Sequence, residues 1–543
     1  MNTASDIGPR VTIVMTARER HSLTVSAIES IVEKTRLPFR LIYVDCESPP
    51  WLREIFATRA ETWGLEVVRI DEPLWPQQAR ARMAESIRTE YTVFIDNDVD
   101  VETGWLDSLL ACADETGAGI VGPLYLAGDG VQPDRIHMAG GRLVESADPN
   151  GRVVDEVHVH AGEDPQILAS ELRRQPCDFV EYHCMLIRTE LLHAGVLDPD
   201  IRCVHEHIDT SMTARGLGFD TYLEPAARIT YLAGAEYTLD DLPFFRARWT
   251  RADADASIAA FCNKWNVIED ERSFGGVWRF VTEHVAQLDP IRPSLRDHPD
   301  HHVPMPPGEL KQTRSDLLDV AREREYSWSA LAIIANAYGL AHLLLDGAYR
   351  ACGRPFINHL AGTASVLVHY GFRAETIAAG LLHSAYTHCA SNAGGVEAVC
   401  NALGARGNAL ERRVRAYTLR NSRAGGVALT SAEFSTLSVL EAEIIAIIAA
   451  NEIDMYMSGE IRYSGRTDLI GPTLSAQIAR VCDTLGVDGL YQTLRREQER
   501  EVSVPREFMT GVRGSYRIGK DSRSPVPMAT NVPAGLLGTL NLS

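Results

Sequence analysis

The chain lacks paired cysteines, an excess of positive charge and a leading apolar run. Its ten cysteines include no CxxC pair, which favours reduced thiols over a disulfide framework or a zinc site and predicts a cytoplasmic location. The 53 Lys and Arg residues stand against 73 Asp and Glu, a net charge of −20, so no nucleic acid is expected as a partner. No basic start followed by an apolar stretch opens the sequence, and no secretory signal is therefore expected.

A membrane span is not expected from the longest uncharged stretch. Trp328 to Leu345 contains no Asp, Glu, Lys or Arg. However, Ser329, Asn336 and His342 interrupt it, and anchors on both flanks are missing. We therefore predict a buried helix at this place and no transmembrane segment.

What the sequence does contain is enough apolar material for more than one globular unit. Its 543 residues are 45% apolar and 23% charged, as in ordinary globular proteins. Between residues 11 and 98, short β-rich runs alternate with helical patterns, which predicts an α/β, Rossmann-like domain with a mostly parallel sheet. The predicted strands are VTIVMT, FRLIYVD, LEVVRI and YTVFID.

The composition of the chain changes near residue 289. Residues 289–314 are rich in proline and histidine without apolar periodicity, which is typical of a linker. After residue 315 the strand signals nearly vanish and amphipathic helical patterns follow. We predict a first domain at residues 1–288, a linker at 289–314, an all-helical domain at 315–499 and an irregular tail at 500–543.

The most informative motif follows the fourth predicted strand, where the chain reads Asp96, Asn97, Asp98. Carboxylates two residues apart just past a strand can approach one hard divalent cation, which also accepts phosphate oxygens as ligands. Such a cation neutralises the charge that builds on a diphosphate leaving group. The alternative is an acidic turn that caps the helix starting near Thr103.

Other segments accompany this motif, and as a set they resemble family 2 glycosyltransferases of the GT-A fold. The resemblance covers about residues 11 to 270. Its elements are a strand that leads into a Thr/Arg-type loop at residues 11–20, a V-D-x-x-S element at 44–48, an Ala-Arg-Asn-like segment at Ala81, Arg82 and Met83, the DXD motif at 94–98, and Gly104, Trp105 and Leu106.

The resemblance implies a donor site at the carboxyl ends of these strands. Asp45 would accept a hydrogen bond from the nucleotide base, Arg82 would lie near the diphosphate, and Mn²⁺ or Mg²⁺ would bridge the two phosphates. Taken alone, Asp45 is typical of a turn cap and Arg82 of a solvated helix charge. The implied donor-binding residues are Thr16, Arg18, Asp45, Glu47, Arg82 and Asp96, and the implied metal ligands are Asp96 and Asp98.

A second candidate site lies on a helix predicted at residues 206–215. Glu206 and Asp209 are three residues apart and share one helix face. The family usually has Glu-Asp here, with the Asp as the base, but this chain has His207 at the Asp position. We favour Glu206 or Asp209 as the base and keep His207 as an alternative base or metal ligand. Acidic residues also favour a helix N-terminus for electrostatic reasons alone.

The third metal contact of the family has no obvious counterpart. A histidine often follows a late Glu-Pro in the family, but this chain has Tyr231 at that place. His183 is one histidine whose side chain we consider for the cleft, although its sequence surroundings are more typical of a core histidine.

The helical half resembles the HD-superfamily domain of (p)ppGpp hydrolases. His359 and His383 match two of the four metal ligands, whereas Ser384 and Asn451 replace the two aspartates. Losing two carboxylates should weaken metal binding severely. The resemblance therefore implies an HD-like domain with a vestigial, non-hydrolytic site at His359 and His383, with Glu452 or Asp454 as an open replacement ligand.

The family 2 resemblance implies a metal-dependent, hexosyltransferase-like enzyme. It would move a sugar from a nucleoside-diphosphate donor, with a UDP-sugar favoured, to a hydroxyl acceptor, and the resemblance alone implies inversion. One alternative is a nucleotide polyphosphate hydrolase or sensor that acts through the HD-like domain. Another is a non-catalytic protein that binds nucleotide sugars. Self-association through the helical half stays open.

Overall fold

The computed structural model of the chain contains two compact units, Met1–Val285 and Ala286–Ser543. No described helix combines the length and the apolar character that crossing a bilayer requires. Most of the predicted tail lies outside the described residues. The structure describes residues 8–128, 135–270, 277, 281–282, 284–285, 288–296, 302–388, 396–404, 408–421, 428–461, 470–500, 516–518 and 525–527.

The first unit is built on one mixed sheet and a separate hairpin. The strands are β1 Val11–Thr16, β2 Phe39–Cys46, β3 Leu65–Ile70, β4 Tyr91–Asp96, β5 Val99–Val101, β6 Ile120–Ala127, β7 Arg135–Met138, β8 Gly141–Asp148, β9 Gly151–His158, β10 Gln175–Cys177, β11 Cys184–Arg188 and β12 Thr221–Tyr231. The sheet has the strand order β10-β12-β6-β11-β4-β1-β2-β3, to which β5 and β7 add by pairing with β12 and β6. β8 and β9 form the hairpin.

The four strands predicted from apolar runs all form. β1, β2, β3 and β4 pair in parallel, and β1 and β4 are buried along their whole length, as expected for strands covered on both faces. The parallel arrangement ends at β11, which inserts antiparallel between β4 and β6. The α/β class is thus confirmed, with a sheet that is mixed beyond β4.

The helices of the first unit connect and cover these strands. The predicted helix at residues 206–215 is observed with one further residue. The helices are α1 Thr24–Lys34, α2 Pro50–Trp63, α3 Pro76–Ala84, α4 Trp105–Thr116, α5 Thr189–His193, α6 Glu206–Gly216, α7 Leu242–Arg248 and α8 Arg251–Trp265.

The strand register places the candidate motifs at one edge of the sheet. Thr16, the last residue of β1, lies beside Val44 of β2 and Asp96 of β4. Because parallel strands end at the same edge, the loops after β1, β2 and β4 converge there. This edge carries the candidate site.

The second unit is helical, as predicted, with one small antiparallel sheet formed by β13, β14 and β15. Its HD-like identity stays a prediction. The elements are α9 Pro293–Arg296, α10 Arg314–Glu323, α11 Trp328–Leu344, α12 Phe356–His369, α13 Ala374–Leu382, α14 Ala385–His388, α15 Val396–Ala402, α16 Ala409–Asn421, α17 Ser431–Ser435, α18 Val439–Met457, α19 Pro472–Leu485, α20 Asp488–Arg500, β13 Ala348–Tyr349, β14 Tyr516–Ile518 and β15 Pro525–Pro527.

The buried helix predicted near residue 328 forms as α11, but it is buried on one face only. α11 buries only the face that carries Leu331, Ile334 and Ala341, whereas Trp328 is 82% exposed and Leu343 is 79% exposed. Buried positions three to seven residues apart are the pattern of a surface helix. Its apolar composition therefore does not reflect burial on all sides.

Candidate active site

A cavity of about 360 Å³ opens at the carboxyl edge of the sheet in the first unit. Its lining joins residues from two candidate sites that are far apart in the sequence. Asp96 lines one part of it, and Glu206 and His207 line another. A volume of this size is in the usual range of small-molecule sites.

Asp96 is buried in a ring of basic side chains. Its Oδ1 accepts a hydrogen bond of 2.9 Å from Arg80 Nη2, and His183 Nδ1 lies 3.3 Å from its Oδ2. Burial alone would raise the pKa of Asp96, but the hydrogen bond from His183 and the charge of Arg80 hold that pKa below its usual range. Asp96 is therefore ionised and already partly neutralised.

Asp98 is buried without a hydrogen-bond partner among the described residues. Neither carboxylate oxygen receives a hydrogen bond, and the nearest cation, Arg20 Nε, is 3.8 Å away. Burial raises the pKa of Asp98 above its usual range. A buried carboxylate without donors is costly unless something binds it, which makes Asp98 a suitable ligand for a cation.

The residues around Asp98 fit a divalent ion. Ligand atoms of Asp96, Asp98 and His183 all lie within 4.8 Å of one another. Burial and the neighbouring Arg18 lower the pKa of His183 to about 4, so its imidazole is neutral. Its Nε2 accepts a hydrogen bond of 2.5 Å from Arg18 Nη1, which the ring would exchange for the ion on coordination. Two carboxylates and one imidazole suit Mn²⁺ and, with more oxygen ligands from a diphosphate, Mg²⁺.

Asn97, the middle residue of the motif, positions the loop after β1. Its side-chain oxygen accepts a hydrogen bond from the backbone N–H of Arg18, at 3.1 Å. Its side-chain nitrogen donates to the carbonyl of Arg20, at 2.5 Å, and to the hydroxyl of Thr24, at 2.7 Å. The motif thus fixes the loop that carries Arg18 into the cavity.

His183 and Tyr231 together occupy the place where the sequence left the third metal contact open. Their rings stack with centroids 4.0 Å apart, and both line the cavity. His183 is buried, as a core histidine would be, yet it contacts Asp96. The histidine beside the acidic motif therefore comes from the segment before β11 rather than from β12.

Arg80 rather than Arg82 reaches the acidic motif. Arg80 is buried on α3, contacts Asp96 and lies over the Tyr182 ring at 3.9 Å. Arg82 lines a separate surface groove beside Arg40 and Glu66. Side chains two residues apart on a helix point to different faces. Arg80 lies on the buried face of α3 and Arg82 does not, so only Arg80 reaches Asp96.

The three candidate bases are separated by the structure. Asp209 is buried outside the cavity lining, where Lys264 Nζ donates to its Oδ2 at 2.9 Å and the Trp265 indole to its Oδ1 at 2.8 Å. Glu206 and His207 both line the cavity. Asp209 thus anchors α8 to α6, and two candidates remain beside the cavity.

His207 has a carboxylate partner that the sequence did not reveal. Its Nε2 lies 3.2 Å from Glu156 Oε2. Burial would lower the pKa of His207, but Glu156 raises it above the usual value. Conversely, although burial opposes ionisation, His207 helps to lower the pKa of Glu156 to about 2. Glu156 lies on β9, 51 positions earlier in the chain, and no local pattern links the two residues.

The remaining predicted donor residues lie along the same sheet edge. The Thr16 hydroxyl is buried with no hydrogen-bond partner among the described residues. Asp45 accepts a hydrogen bond of 2.8 Å from the Ser48 N–H and lines a shallow pocket beside Arg53 that is separate from the main cavity. Glu47 is exposed, with φ at 64°. Asp45 and Glu47 thus stand apart from the Asp96 cluster.

The predicted vestigial site in the second unit is buried and charge-balanced. His359 and His383 lie with ring centroids 5.3 Å apart, and His359 Nδ1 is 2.7 Å from Asp454 Oδ2. Arg354 donates two hydrogen bonds of 2.8 Å to Asp454, and Arg350 pairs with Glu460 at 2.5 Å. The two carboxylates are therefore neutralised by two guanidinium groups.

The histidine at residue 383 should make the protein sensitive to mild acid. Burial lowers the pKa of His383 to about 4, so the unfolded chain binds the proton first, and stability falls as the pH drops from about 6.5 to 4. Between pH 7 and pH 5, we expect the free energy of unfolding to fall by about 2 kcal/mol less in His383→Gln than in wild type. Urea unfolding at both pH values measures this, with His342→Gln, at an exposed histidine, as the control. Equal losses in wild type and His383→Gln would contradict it.

Comparison with known proteins gives a family match that lies within the first unit. Residues 12–194 match the family Glycosyl transferase family 2. No curated protein matches the chain. One similar solved structure, the crystal structure of GalNAc-T7 with UDP, GalNAc and Mn²⁺, is 16% identical with a TM-score of 0.33; the match covers 41% of this chain and 42% of that chain, less than half of either. Residues 12–194 are thus similar to a glycosyl transferase family 2 domain.

Proposed function

We propose that the first unit transfers a sugar from a nucleoside-diphosphate donor to a hydroxyl acceptor in a reaction that needs Mn²⁺ or Mg²⁺. The observation that carries this is the buried Asp98 carboxylate, which accepts no hydrogen bond from the described residues, beside Asp96 and His183. It supports a cation site within a family 2 domain. A UDP-sugar, and a hexose in particular, is the donor to test first.

The donor diphosphate would bind between the acidic motif and two arginines. Asp96, Asp98 and His183 would hold the divalent ion, which when bound acts as a Lewis acid toward the diphosphate. Arg18 and Arg80 both line the cavity and add positive charge near the leaving group. Thr16 would face the donor at the end of β1. Arg80 Nη1 also lies 4.0 Å from Glu206 Oε1.

The acceptor would be activated by His207, which lines the same cavity. Because Nε2 faces Glu156, the neutral ring carries its proton on Nε2 and leaves Nδ1 to take the acceptor proton. The carboxylate of Glu156 then stabilises the imidazolium that forms. Glu206, on the same cavity wall, would accept a hydrogen bond from another acceptor hydroxyl. Attack from this side gives inversion.

The proposal is tested by incubating the full chain with UDP-sugars and Mn²⁺, with and without candidate acceptors. We expect release of UDP, slow without acceptor and faster with the correct one. Binding of nucleotide sugars without any turnover would overturn the transferase proposal and favour the non-catalytic alternative. Release of pyrophosphate or phosphate from guanosine polyphosphates, lost in His359→Ala and His383→Ala, would favour the hydrolase alternative.

Replacing His207 should separate catalysis from donor binding. We expect His207→Asn to lower kcat by about 100- to 10,000-fold with little change in the affinity for UDP. Because His207 must be neutral to act as a base, wild-type activity should rise with pH through a pKa above the usual value of His. A pH–rate profile measures this. The matched control, Asp209→Asn, removes the neighbouring carboxylate outside the cavity and should preserve the profile.

A further inference from the structure

Three arginines line the cavity, Arg18, Arg80 and Arg248, and the proposed transfer uses only the first two. Arg18 Nη1 lies 4.0 Å from Asp96 Oδ2, and Arg80 Nη2 lies 2.9 Å from Asp96 Oδ1. Arg248 is the last residue of α7. Within the part of the chain that the structure describes, it forms no ion pair with a carboxylate. The cavity therefore contains one guanidinium group whose charge is not balanced.

The guanidinium group of Arg248 is also poorly satisfied in its hydrogen bonds. Arg248 is buried, with an exposed fraction of 2%. Its Nε and Nη1 have no hydrogen-bond acceptor among the described residues, and its Nη2 donates one long hydrogen bond, of 3.4 Å, to the Cys203 carbonyl. A buried charge is costly unless an opposite charge accompanies it. Arg248 is therefore suited to bind an anion that a ligand brings into the cavity.

Two indole rings hold the Arg248 side chain in place. Its guanidinium carbon lies 4.7 Å from the centroid of the Trp249 ring and 5.5 Å from that of the Trp75 ring. The Trp75 indole is fixed in turn by a hydrogen bond of 3.2 Å that it donates to Asp253 Oδ1. Aromatic faces attract a cation but do not replace a carboxylate as the acceptor of two parallel hydrogen bonds. The rings therefore orient the guanidinium and leave its N–H groups to a ligand.

The carboxylates of the cavity lining already have basic neighbours. Asp96 contacts Arg80, as described above. Glu206 Oε1 lies 4.0 Å from Arg80 Nη1, Glu156 Oε2 lies 3.2 Å from His207 Nε2, and Glu181 Oε2 lies 2.8 Å from His137 Nε2. These acids are the ones that the described lining contains. The anion for Arg248 must therefore come from a bound molecule.

The position of Arg248 favours the acceptor as that molecule. Cys203, whose carbonyl it contacts, lies in the segment that leads into α6, four residues before the proposed base His207. The other two arginines instead contact Asp96, where the donor diphosphate is proposed to bind. A single guanidinium also balances one negative charge, which a carboxylate carries, whereas a phosphate monoester carries up to about two.

We infer that Arg248 binds a carboxylate of the acceptor, so that the acceptor is an acidic sugar such as a hexuronic acid. The planar fork of the guanidinium matches a planar carboxylate, which can accept two parallel hydrogen bonds from it. The inference rests on the proposed transfer for the identity of the ligand as the acceptor. The binding of the carboxylate itself is measured without turnover.

The test is an NMR titration of the full chain with D-glucuronate and with its neutral counterpart D-glucose. We expect wild type to bind glucuronate at least about 10-fold more tightly than glucose, because hydrogen bonds to charged groups are strong. This preference should disappear in Arg248→Met and be partly kept in Arg248→Lys. The matched control is Arg246→Met, which removes a partly exposed guanidinium from the same helix outside the described lining and should keep the preference.

Thermal unfolding separates a binding role of Arg248 from a structural one. Removing a buried charge without an anionic partner should leave the melting temperature of the ligand-free protein unchanged or raise it in Arg248→Met. A marked fall in the melting temperature would show that the contacts with Trp75 and Trp249 stabilise the fold, and would contradict the inference.

Three further results would overturn the inference. The first, from wild type alone, is glucuronate binding no tighter than glucose binding. The second is an Arg248→Met variant that loses Mn²⁺-dependent affinity for UDP, which would assign Arg248 to the donor diphosphate. The third is a preference for UDP-glucuronate over UDP-glucose that Arg248→Met removes, which would place the carboxylate on the donor. Failure of the proposed transfer looks different: UDP would not be released with any acceptor, whatever the affinity for glucuronate.

Discussion

Replacing Asp98 with asparagine should remove Mn²⁺-dependent binding of UDP and at the same time stabilise the metal-free protein. Within the part of the chain that the structure describes, no hydrogen bond compensates the charge of the buried Asp98 carboxylate. Its pKa is raised by burial, so the folded chain binds this proton more tightly than the unfolded chain. The metal-free wild type therefore loses stability as the pH rises above the ordinary Asp pKa of about 4. The uncharged side-chain amide of Asp98→Asn removes this loss of stability.

The same substitution takes away one of the two carboxylates proposed to hold the ion. We expect donor turnover with Mn²⁺ to fall at least about 1,000-fold, because a Lewis acid supplies several kcal/mol of charge stabilisation. Release of UDP from the donor in the presence of Mn²⁺ measures turnover. Thermal unfolding at pH 8, with and without Mn²⁺ and UDP, measures the stability of the metal-free protein and its gain from the ligands. Wild type should gain stability from the ligands, and Asp98→Asn should not.

Asp100 offers a matched control two residues further along the chain. It is partly exposed and pairs with Lys34 at 2.8 Å on the surface, so Asp100→Asn should change stability by about 1 kcal/mol or less and leave UDP binding intact. An Asp98→Asn variant that still binds UDP in a Mn²⁺-dependent manner would contradict the proposed ion site.

Replacing Glu443 with alanine should destabilise the second unit by about 3 to 5 kcal/mol. Glu443 is buried on α18, where Arg413 Nε donates to its Oε2 at 2.7 Å and Thr376 donates to the same oxygen at 2.9 Å. Arg373 binds its other oxygen. Removing the carboxylate leaves two guanidinium groups, both largely buried, without their shared partner.

The pH dependence of this contribution has a defined sign. Burial opposes ionisation, but Arg373 and Arg413 lower the pKa of Glu443 to about 2. The stabilisation is therefore complete above about pH 4.5 and is lost as the pH falls toward 2. Denaturant unfolding of wild type and Glu443→Ala at pH 7 and pH 3 should show a smaller difference at pH 3.

Glu499 on α20 provides the comparison. It pairs with Arg495 at 3.4 Å, and both side chains are exposed, so Glu499→Ala should cost about 1 kcal/mol or less. Equal losses of unfolding free energy from Glu499→Ala and Glu443→Ala would contradict the stabilising role of the network around Glu443.

The sequence was most informative where structure depends on local pattern. The four apolar runs became strands because β-branched residues flanked by turns favour buried parallel strands. Their carboxyl ends then placed Asp96 and Asp98 at the site edge. The insertion of β11 beside β4 had no such signal, because strand order beyond consecutive units depends on long-range packing.

Site residues were harder to predict, since side-chain direction decides between neighbours. Arg80 and Arg82 are both plausible in a motif, but only the buried face of α3 selects Arg80. Asp209 has the right spacing from Glu206, yet Lys264 and Trp265 hold it outside the cavity. Glu156 and Glu181 meet their histidines only in the folded chain.

The insertion of β11 between β4 and β6 also has a consequence for how the chain acquires its shape. Tyr91 of β4 pairs with Arg188 of β11, and Ile120 of β6 pairs with Thr221 of β12. Both pairings close loops of about a hundred residues, and such closures slow folding because chain entropy is lost before contacts form. Synthesis must pass residue 231 before the sheet edge is complete. The cavity is therefore a late product of folding, and a shorter chain that ends before β12 would carry the acidic motif without a site around it.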